Sequence, residues 1–207
     1  MEGPSPSGPG RARPGPGALR RYALSQRWDP RHIATVRRFV DAQPGARILE
    51  VGCGPGHLTK RLEDLGCQAT GIDANPQVGD TAVARDVRVM RVEDLGFPDG
   101  HFDAVVAVHA MEHFPDLEAA MAEMARVLRA GGRMLLIYPA EPIRGLFAVP
   151  DAIVIYRNPF RARELHLHKL RPGKVRALAE AVGLLHVHSE FNLLSSPQFV
   201  TVLRKPA

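Results

Sequence analysis

The eleven residues Ile48-Leu49-Glu50-Val51-Gly52-Cys53-Gly54-Pro55-Gly56-His57-Leu58 constrain this chain more than any other stretch. An apolar run stops at three alternate glycines and resumes with helical spacing, which predicts a strand, a tight turn and a helix. Glycine takes positive φ readily and has no Cβ, so such a turn can be sharp and can leave its backbone open to a ligand. The turn reads as the seat of a small molecule.

The alternation of strand and helix patterns continues downstream. Residues 58–65 form a helix closed by Gly66, residues 68–72 a strand ending in Asp73, and residues 87–92 a third strand. Residues 102–108 are nearly all apolar, as a strand buried on both faces of a parallel sheet should be. Residues 117–128 follow as an amphipathic helix closed by Gly131-Gly132, and residues 133–138 supply a fifth strand. Residues 172–182 form a helix stopped by Gly183, and residues 184–191 and 198–203 alternate as an antiparallel pair. The expected fold is α/β: a doubly wound, mostly parallel seven-stranded sheet with a C-terminal antiparallel hairpin.

Three segments fall outside this pattern. Residues 1–17 contain five prolines and almost nothing apolar, which predicts a disordered tail. Residues 18–43 carry two short helical patterns, interrupted by Trp28-Asp29-Pro30, that are expected to cover the ligand site; Asp29-Pro30 suits a cap and first helical position, placing the second helix at 31–41. Residues 44–207 then form one domain, in which 139–169 is a long connection with four prolines and the apolar centre Ile153-Val154-Ile155-Tyr156. Its length and apolar content predict a lid or substrate wall.

A pI near 9.7 raises the question of nucleic acid, so the position of the charge matters. Residues 1–40 hold eight arginines against two acids, and the remainder holds 19 basic and 20 acidic residues. The excess belongs to the N-terminal arm, whose simplest reading is a solvated arm and helix face, and nucleic acid is not the expected partner. No apolar run approaches the roughly 20 residues of a membrane span. The N-terminus has no apolar signal-peptide core, and two cysteines, Cys53 and Cys67, make no disulfide framework, so the expected location is cytoplasmic. Nothing in the sequence fixes an oligomeric state.

In a sheet of this kind ligands bind outside the carboxyl ends of the strands. Glu50 and the glycine turn end the first strand, Asp73 the second, Val92-Glu93-Asp94 the third, and His109 with Met111, Glu112 and His113 the fourth. An acid ending the second strand is placed to hold a ribose diol, which implies a nucleoside-containing cofactor. A dinucleotide enzyme would also use a glycine turn and an acid. Here the pattern is G-x-G-x-G without the later glycine of the dinucleotide fingerprint, and a separate substrate domain has no room. A nicotinamide-dependent oxidoreductase and a non-catalytic cofactor-binding partner protein stand as the alternatives.

These motifs resemble the class I S-adenosylmethionine-dependent methyltransferases, in their small-molecule type 11 branch. The resembling pieces are Ile48 to Gly56, Gly71-Ile72-Asp73, Glu93 to Asp99, Phe102 to Val106, Glu112-His113 and Arg126 to Gly132, in family order. The resemblance implies that Glu50, Gly52, Cys53, Gly54 and Gly56 hold the methionine part of S-adenosyl-L-methionine. It implies Asp73, with Ala74 beside it, at the ribose hydroxyls, Val92 and Glu93 flanking the adenine, and His109 near the sulfonium. The family often has an Asp two positions before the Glu-Asp pair; this chain has Arg91 there, which leaves the adenine to backbone near Val92 or to Glu93.

The implied reaction is an in-line displacement by an oxygen, nitrogen or carbon nucleophile of a small, partly hydrophobic molecule. A sulfonium methyl is already activated, so alignment and exclusion of water are the main levers. A base is needed only where the nucleophile must lose a proton; the candidates are His113, His166 and His168, with Tyr22 and Tyr138 as positioning groups. His113 is equally placed to cap the helix beginning near Pro115, and of His166 and His168, at alternate positions, one at most faces the site. His186 and His188 read as one structural face of a late strand. The H-x-x-E-H spacing of His109, Glu112 and His113 also occurs in a zinc-protease class, but it follows a buried strand here, and no metal is expected.

Overall fold

The computed structural model describes residues 30–140, 167–193 and 196–207. Its elements in chain order are α1 (His32–Phe39), β1 (Arg47–Val51), α2 (His57–Asp64), β2 (Gln68–Asp73), α3 (Val78–Thr81), β3 (Val87–Val89) and β4 (Phe102–Val108). A 3-10 turn (Met111–His113), α4 (Leu117–Val127), β5 (Leu128–Pro139), α5 (Pro172–Ala181), β6 (Leu185–Asn192) and β7 (Gln198–Arg204) complete them. The seven strands lie in the order β3-β2-β1-β4-β5-β7-β6, with β7 antiparallel to both of its neighbours.

Alternation along the strands sets the two layers. Ile48, Val106, Leu135 and Ile137 pack on one face with Val36 of α1 and with Leu58 and Leu62 of α2. Leu49, Val105, Leu136 and Tyr138 pack on the other with Met121 and Met124 of α4 and with Val175 of α5. A fully buried Val or Leu contributes about 1.5–3 kcal/mol, so the central strands carry much of the stability. The chain lays down β2 and β3 on one side of β1 and then returns to place β4 on the other. In open sheets of this kind the reversal marks the crevice where ligands bind, outside the carboxyl ends of the strands, here β1 and β4.

Several boundaries differ from expectation for local reasons. β3 stops at Val89, because β2 ends at Asp73 and offers nothing further to pair with; Met90 N–H still bonds the Asp73 carbonyl, and the chain then turns through Val92-Glu93. β5 starts ten residues before Tyr138, and Gly131-Gly132 lie inside it, where the register with β4 is irregular between Phe102 and Ala104. The end of α4 is instead met by Lys205, whose Nζ donates to the carbonyls of Ala125 and Leu128 at 2.8 Å each. A cation at a helix C-terminus is favourable on both hydrogen-bond and dipole grounds. α1 begins at His32, and Asp29 lies outside the described residues. The cap of α4 is Asp116, whose Oδ1 accepts from Glu118 and Ala119 N–H, so His113 does not fill that role. His186 and His188 face opposite sides of the sheet: a bulge at Val187 puts them opposite consecutive residues, Leu203 and Val202. His186 accordingly meets Arg176 of α5, and His188 stacks on Phe39 of α1.

Candidate active site

The glycine turn leaves β1 with Gly52 at φ 72°, and the N–H groups of Gly52 and Cys53 both donate to the Ile72 carbonyl, tying the turn to β2. A Cβ on Gly52 would lie 2.4 Å from the Ala110 Cβ, so the residue must be glycine for close approach to the segment after β4. Gly54 differs: at φ 50° it has nothing within 4 Å of where its Cβ would stand. Its backbone faces open space at the crevice. Gly56 is the N-cap residue of α2.

Two carboxylates stand at this end. Asp73 is held at both oxygens, with Oδ2 accepting from Gly54 N–H at 2.9 Å and Oδ1 from Asn75 N–H at 2.8 Å. That leaves its remaining lone pairs in a fixed direction beside Ala74. Glu50 is 5% exposed and accepts a short bond, 2.5 Å, from the Thr59 hydroxyl. Burial pushes its carboxyl up to about 7, against the pull of Thr59, and the neighbouring Asp73 charge adds to the rise. A buried carboxylate poised near neutrality gains from a cation placed beside it. Burial also pushes the Cys53 thiol up, assisted by the Glu50 and Asp73 charges, so this cysteine is a packing residue and not a nucleophile. Glu93 spends one oxygen on Arg91 at 3.3 Å, while its buried Oε1 has no hydrogen-bond partner. Val92 beside it is 6% exposed.

The opposite wall begins where β4 ends. His109 stands in the left-handed region at φ 51°, with its N–H donated to the Ile137 carbonyl. Its Nε2 lies 2.8 Å from Gln198 Oε1, and its Nδ1 lies 3.7 Å from Glu112 Oε1. His32 of α1 reaches the same Gln198 oxygen at 3.4 Å. Glu112, Gln198 and His32 are all buried. The Glu112 carbonyl accepts the N–H groups of Leu167 and His168, which anchors the returning chain to the 3-10 turn. Ala140 N–H bonds the Pro197 carbonyl. Both described ends of the long connection are thus fastened beside the crevice.

The donor set suits S-adenosylmethionine. A buried carboxyl that favours a cation matches its ammonium, the fixed Asp73 oxygens match a diol, and the orphaned Glu93 acceptor matches a donor on the base. The family model for a methyltransferase domain matches residues 49–136. The ubiquinone biosynthesis O-methyltransferase of Xanthomonas oryzae pv. oryzae is 37% identical over 177 residues, covering 75% of this chain and 74% of the relative. This chain belongs to the class I S-adenosylmethionine-dependent methyltransferases. The corresponding enzyme of Xanthomonas axonopodis pv. citri is also 37% identical, over 78% of this chain and 77% of its own. Among solved structures, a methyltransferase from Archaeoglobus fulgidus overlays with a TM-score of 0.66 at 17% identity, covering 84% of this chain and 93% of its own. A 4+2 cyclase overlays with a TM-score of 0.68, also at 17% identity, over 86% of this chain and 80% of its own, and at that distance both show the fold alone. The cofactor of this methyltransferase is S-adenosylmethionine, and the nicotinamide reading falls with the family.

The structure gathers Glu50, Gly52, Cys53, Gly54, Asp73 and Ala74 on one side of the crevice and His109 on the other. Of the three candidate bases, His166 and, of the positioning groups, Tyr22 lie outside the described residues. His113 sits in the 3-10 turn, partly exposed. His168 Nε2 bonds the Phe114 carbonyl at 2.8 Å, so that nitrogen carries a hydrogen and Nδ1 is left to take a proton. Tyr138 is a core residue: fully buried, its hydroxyl pairs with Thr201 at 2.8 Å, and burial pushes it up to about 12. No group of three His, Cys, Asp or Glu among the described residues is arranged to hold a metal ion, and no described helix is long and apolar enough to cross a membrane. A cleft of about 560 Å³ lies at the other pole of the sheet, lined by Arg47, Thr70, Arg85 and Arg88. It meets the starts of the strands and lacks the glycine turn. Three contributors were hidden in the sequence: Thr59, His32 and Gln198. Only Thr59 left a signal, a hydroxyl on the inward stripe of α2 between Leu58 and Leu62.

Proposed function

We propose that this methyltransferase acts on a hydroxyl of a small, partly hydrophobic molecule, with Glu50, Gly52, Cys53, Gly54 and Gly56 at the methionine end of the cofactor. Asp73 and Ala74 serve the ribose, Val92 and Glu93 the adenine, and His109 the region of the sulfonium. The observation that carries the assignment is the pairing of the buried Glu50, pushed up to about 7, with the open Gly54 backbone whose N–H fixes Asp73. The O-methyltransferase relatives support oxygen as the nucleophile.

When bound, S-adenosylmethionine supplies a methyl on positively charged sulfur, which an oxygen nucleophile takes as a neutral thioether leaves. This chain's residues do the rest. Glu50 neutralises the cationic end, and Asp73 and the glycine turn fix the register. The proton of an acceptor hydroxyl goes to His113, His166 or His168. The acceptor pocket falls to residues 18–30, 109–116 and 139–169, of which 18–29 and 141–166 lie outside the described residues, in a cytoplasmic protein that takes no nucleic acid. Incubation with methyl-labelled cofactor and a panel of catechols and other aromatic alcohols tests the proposal. Label on an acceptor oxygen is expected; label confined to protein, RNA or nitrogen compounds would overturn it.

A further inference from the structure

We propose that Gln198 and His32 are positioning residues for His109, holding its imidazole with the hydrogen on Nε2 at the methyl-transfer end of the crevice. The proposal rests on the reading of that crevice as the transfer site.

His109 is the one residue other than glycine with positive φ among the described residues, a conformation that is held only where surrounding contacts impose it. Such contacts include its N–H to the Ile137 carbonyl and its ring to Gln198. Gln198 opens β7 opposite Pro139, fully buried, where an apolar side chain would satisfy the sheet at lower cost. Its Oε1 faces Nε2 of His109 at 2.8 Å and of His32 at 3.4 Å. An amide oxygen only accepts, so both rings carry hydrogen at Nε2. Among the described residues, Glu112 faces His109 from the 3-10 turn, toward its Nδ1, and His32 faces it edge-on from α1 with ring centroids 5.7 Å apart.

Folding alone does not ask for this arrangement. The buried Gln198 Nε2 has no hydrogen-bond partner, and it stands beside a residue in an unfavourable backbone region. Two local costs at adjoining positions mark a place where sequence is kept for function. The result of the arrangement is a ring whose orientation is set from α1 and β7 and presented at the end of β4.

The test uses the full chain with nitrogen-15 histidine. Wild type should show His109 as the Nε2–H tautomer, and Gln198→Leu should lose that signature while still binding S-adenosylhomocysteine within about threefold. With the acceptor that turns over in the catechol panel, Gln198→Leu should lower kcat about tenfold or more at nearly unchanged cofactor KM. Gln198→Glu keeps an acceptor oxygen and should restore the tautomer and most of kcat. Hydrogen on Nδ1 with none on Nε2 of wild-type His109, wild-type kcat in Gln198→Leu, or no rescue by Gln198→Glu would each overturn the proposal. Should Gln198→Leu not fold, Gln198→Glu and His32→Phe carry the same comparison. Failure of wild type to bind S-adenosylhomocysteine would instead refute the site reading, so the two failures are distinguishable.

Discussion

Replacing Gly52 and Gly54 separately by alanine separates packing from ligand contact within one turn. Both residues have positive φ, 72° and 50°, and alanine there costs about 1–2 kcal/mol. Gly52→Ala adds a methyl 2.4 Å from the Ala110 Cβ, a backbone-mounted atom that moves only with the chain after β4. Overpacking of this kind costs a further 1–3 kcal/mol, roughly, for a total of about 2–5. Gly54→Ala meets nothing within 4 Å and bears the backbone cost alone. At about 2–4 °C per kcal/mol for a domain this size, Gly52→Ala should lower Tm by about 4–20 °C and Gly54→Ala by about 2–8 °C. Binding should invert the order of interest: in Gly54→Ala the new methyl occupies the space of the ligand, so S-adenosylhomocysteine affinity should fall tenfold or more, about 1.4 kcal/mol, in a folded protein. Differential scanning fluorimetry and calorimetric titration read the two quantities. Unchanged affinity in a folded Gly54→Ala would refute the turn as the cofactor seat, and an unchanged Tm in Gly52→Ala would refute the close approach to Ala110.

Other outcomes follow from single groups. The Glu50 carboxyl is raised on folding to about 7, so the native state binds more protons than the unfolded state between the ordinary carboxylate value and 7. Apo-protein stability should therefore fall as pH rises through that window, by about 3 kcal/mol at most, and Glu50→Gln should flatten the slope in melts from pH 5 to 8. For the same reason cofactor affinity should weaken as pH drops below 7 in wild type and lose that dependence in Glu50→Gln. Asp73→Asn removes a charged acceptor worth about 1.5–3 kcal/mol, so affinity for S-adenosylhomocysteine should fall about ten- to a hundredfold with little change in fold by circular dichroism. Lys205→Met strips two carbonyls at the end of α4 and should cost about 1–2 kcal/mol in urea unfolding while leaving cofactor affinity intact.

The strands were legible wherever burial on both faces made the apolar run unambiguous: Phe102–Val108 is where the pattern put it. Boundaries failed where a long-range partner decided them. β3 is an edge strand whose length depends on where β2 stops, and the end of α4 is settled by Lys205, 77 residues beyond Leu128. Gly131-Gly132 looked like a helix stop because a glycine pair serves a stop and a bulge equally well. The Val187 bulge, invisible in an alternating pattern, turned His186 and His188 to opposite faces. The proposed cofactor residues are readable because they follow one another at strand ends. The contacts of Gln198 and His32 are not, because they arise only when β7 and α1 are brought to His109 by the fold.

The central claim is that the Gly52-to-Gly56 turn with Glu50 and Asp73 seats the methyl donor. Titration of the full chain with S-adenosylhomocysteine and, separately, with NADH by calorimetry tests it most directly. One-to-one binding of the first is predicted, weakened tenfold or more in Gly54→Ala and in Asp73→Asn, and no binding of the second. Affinity unchanged by either substitution, or a preference for the dinucleotide, would contradict it.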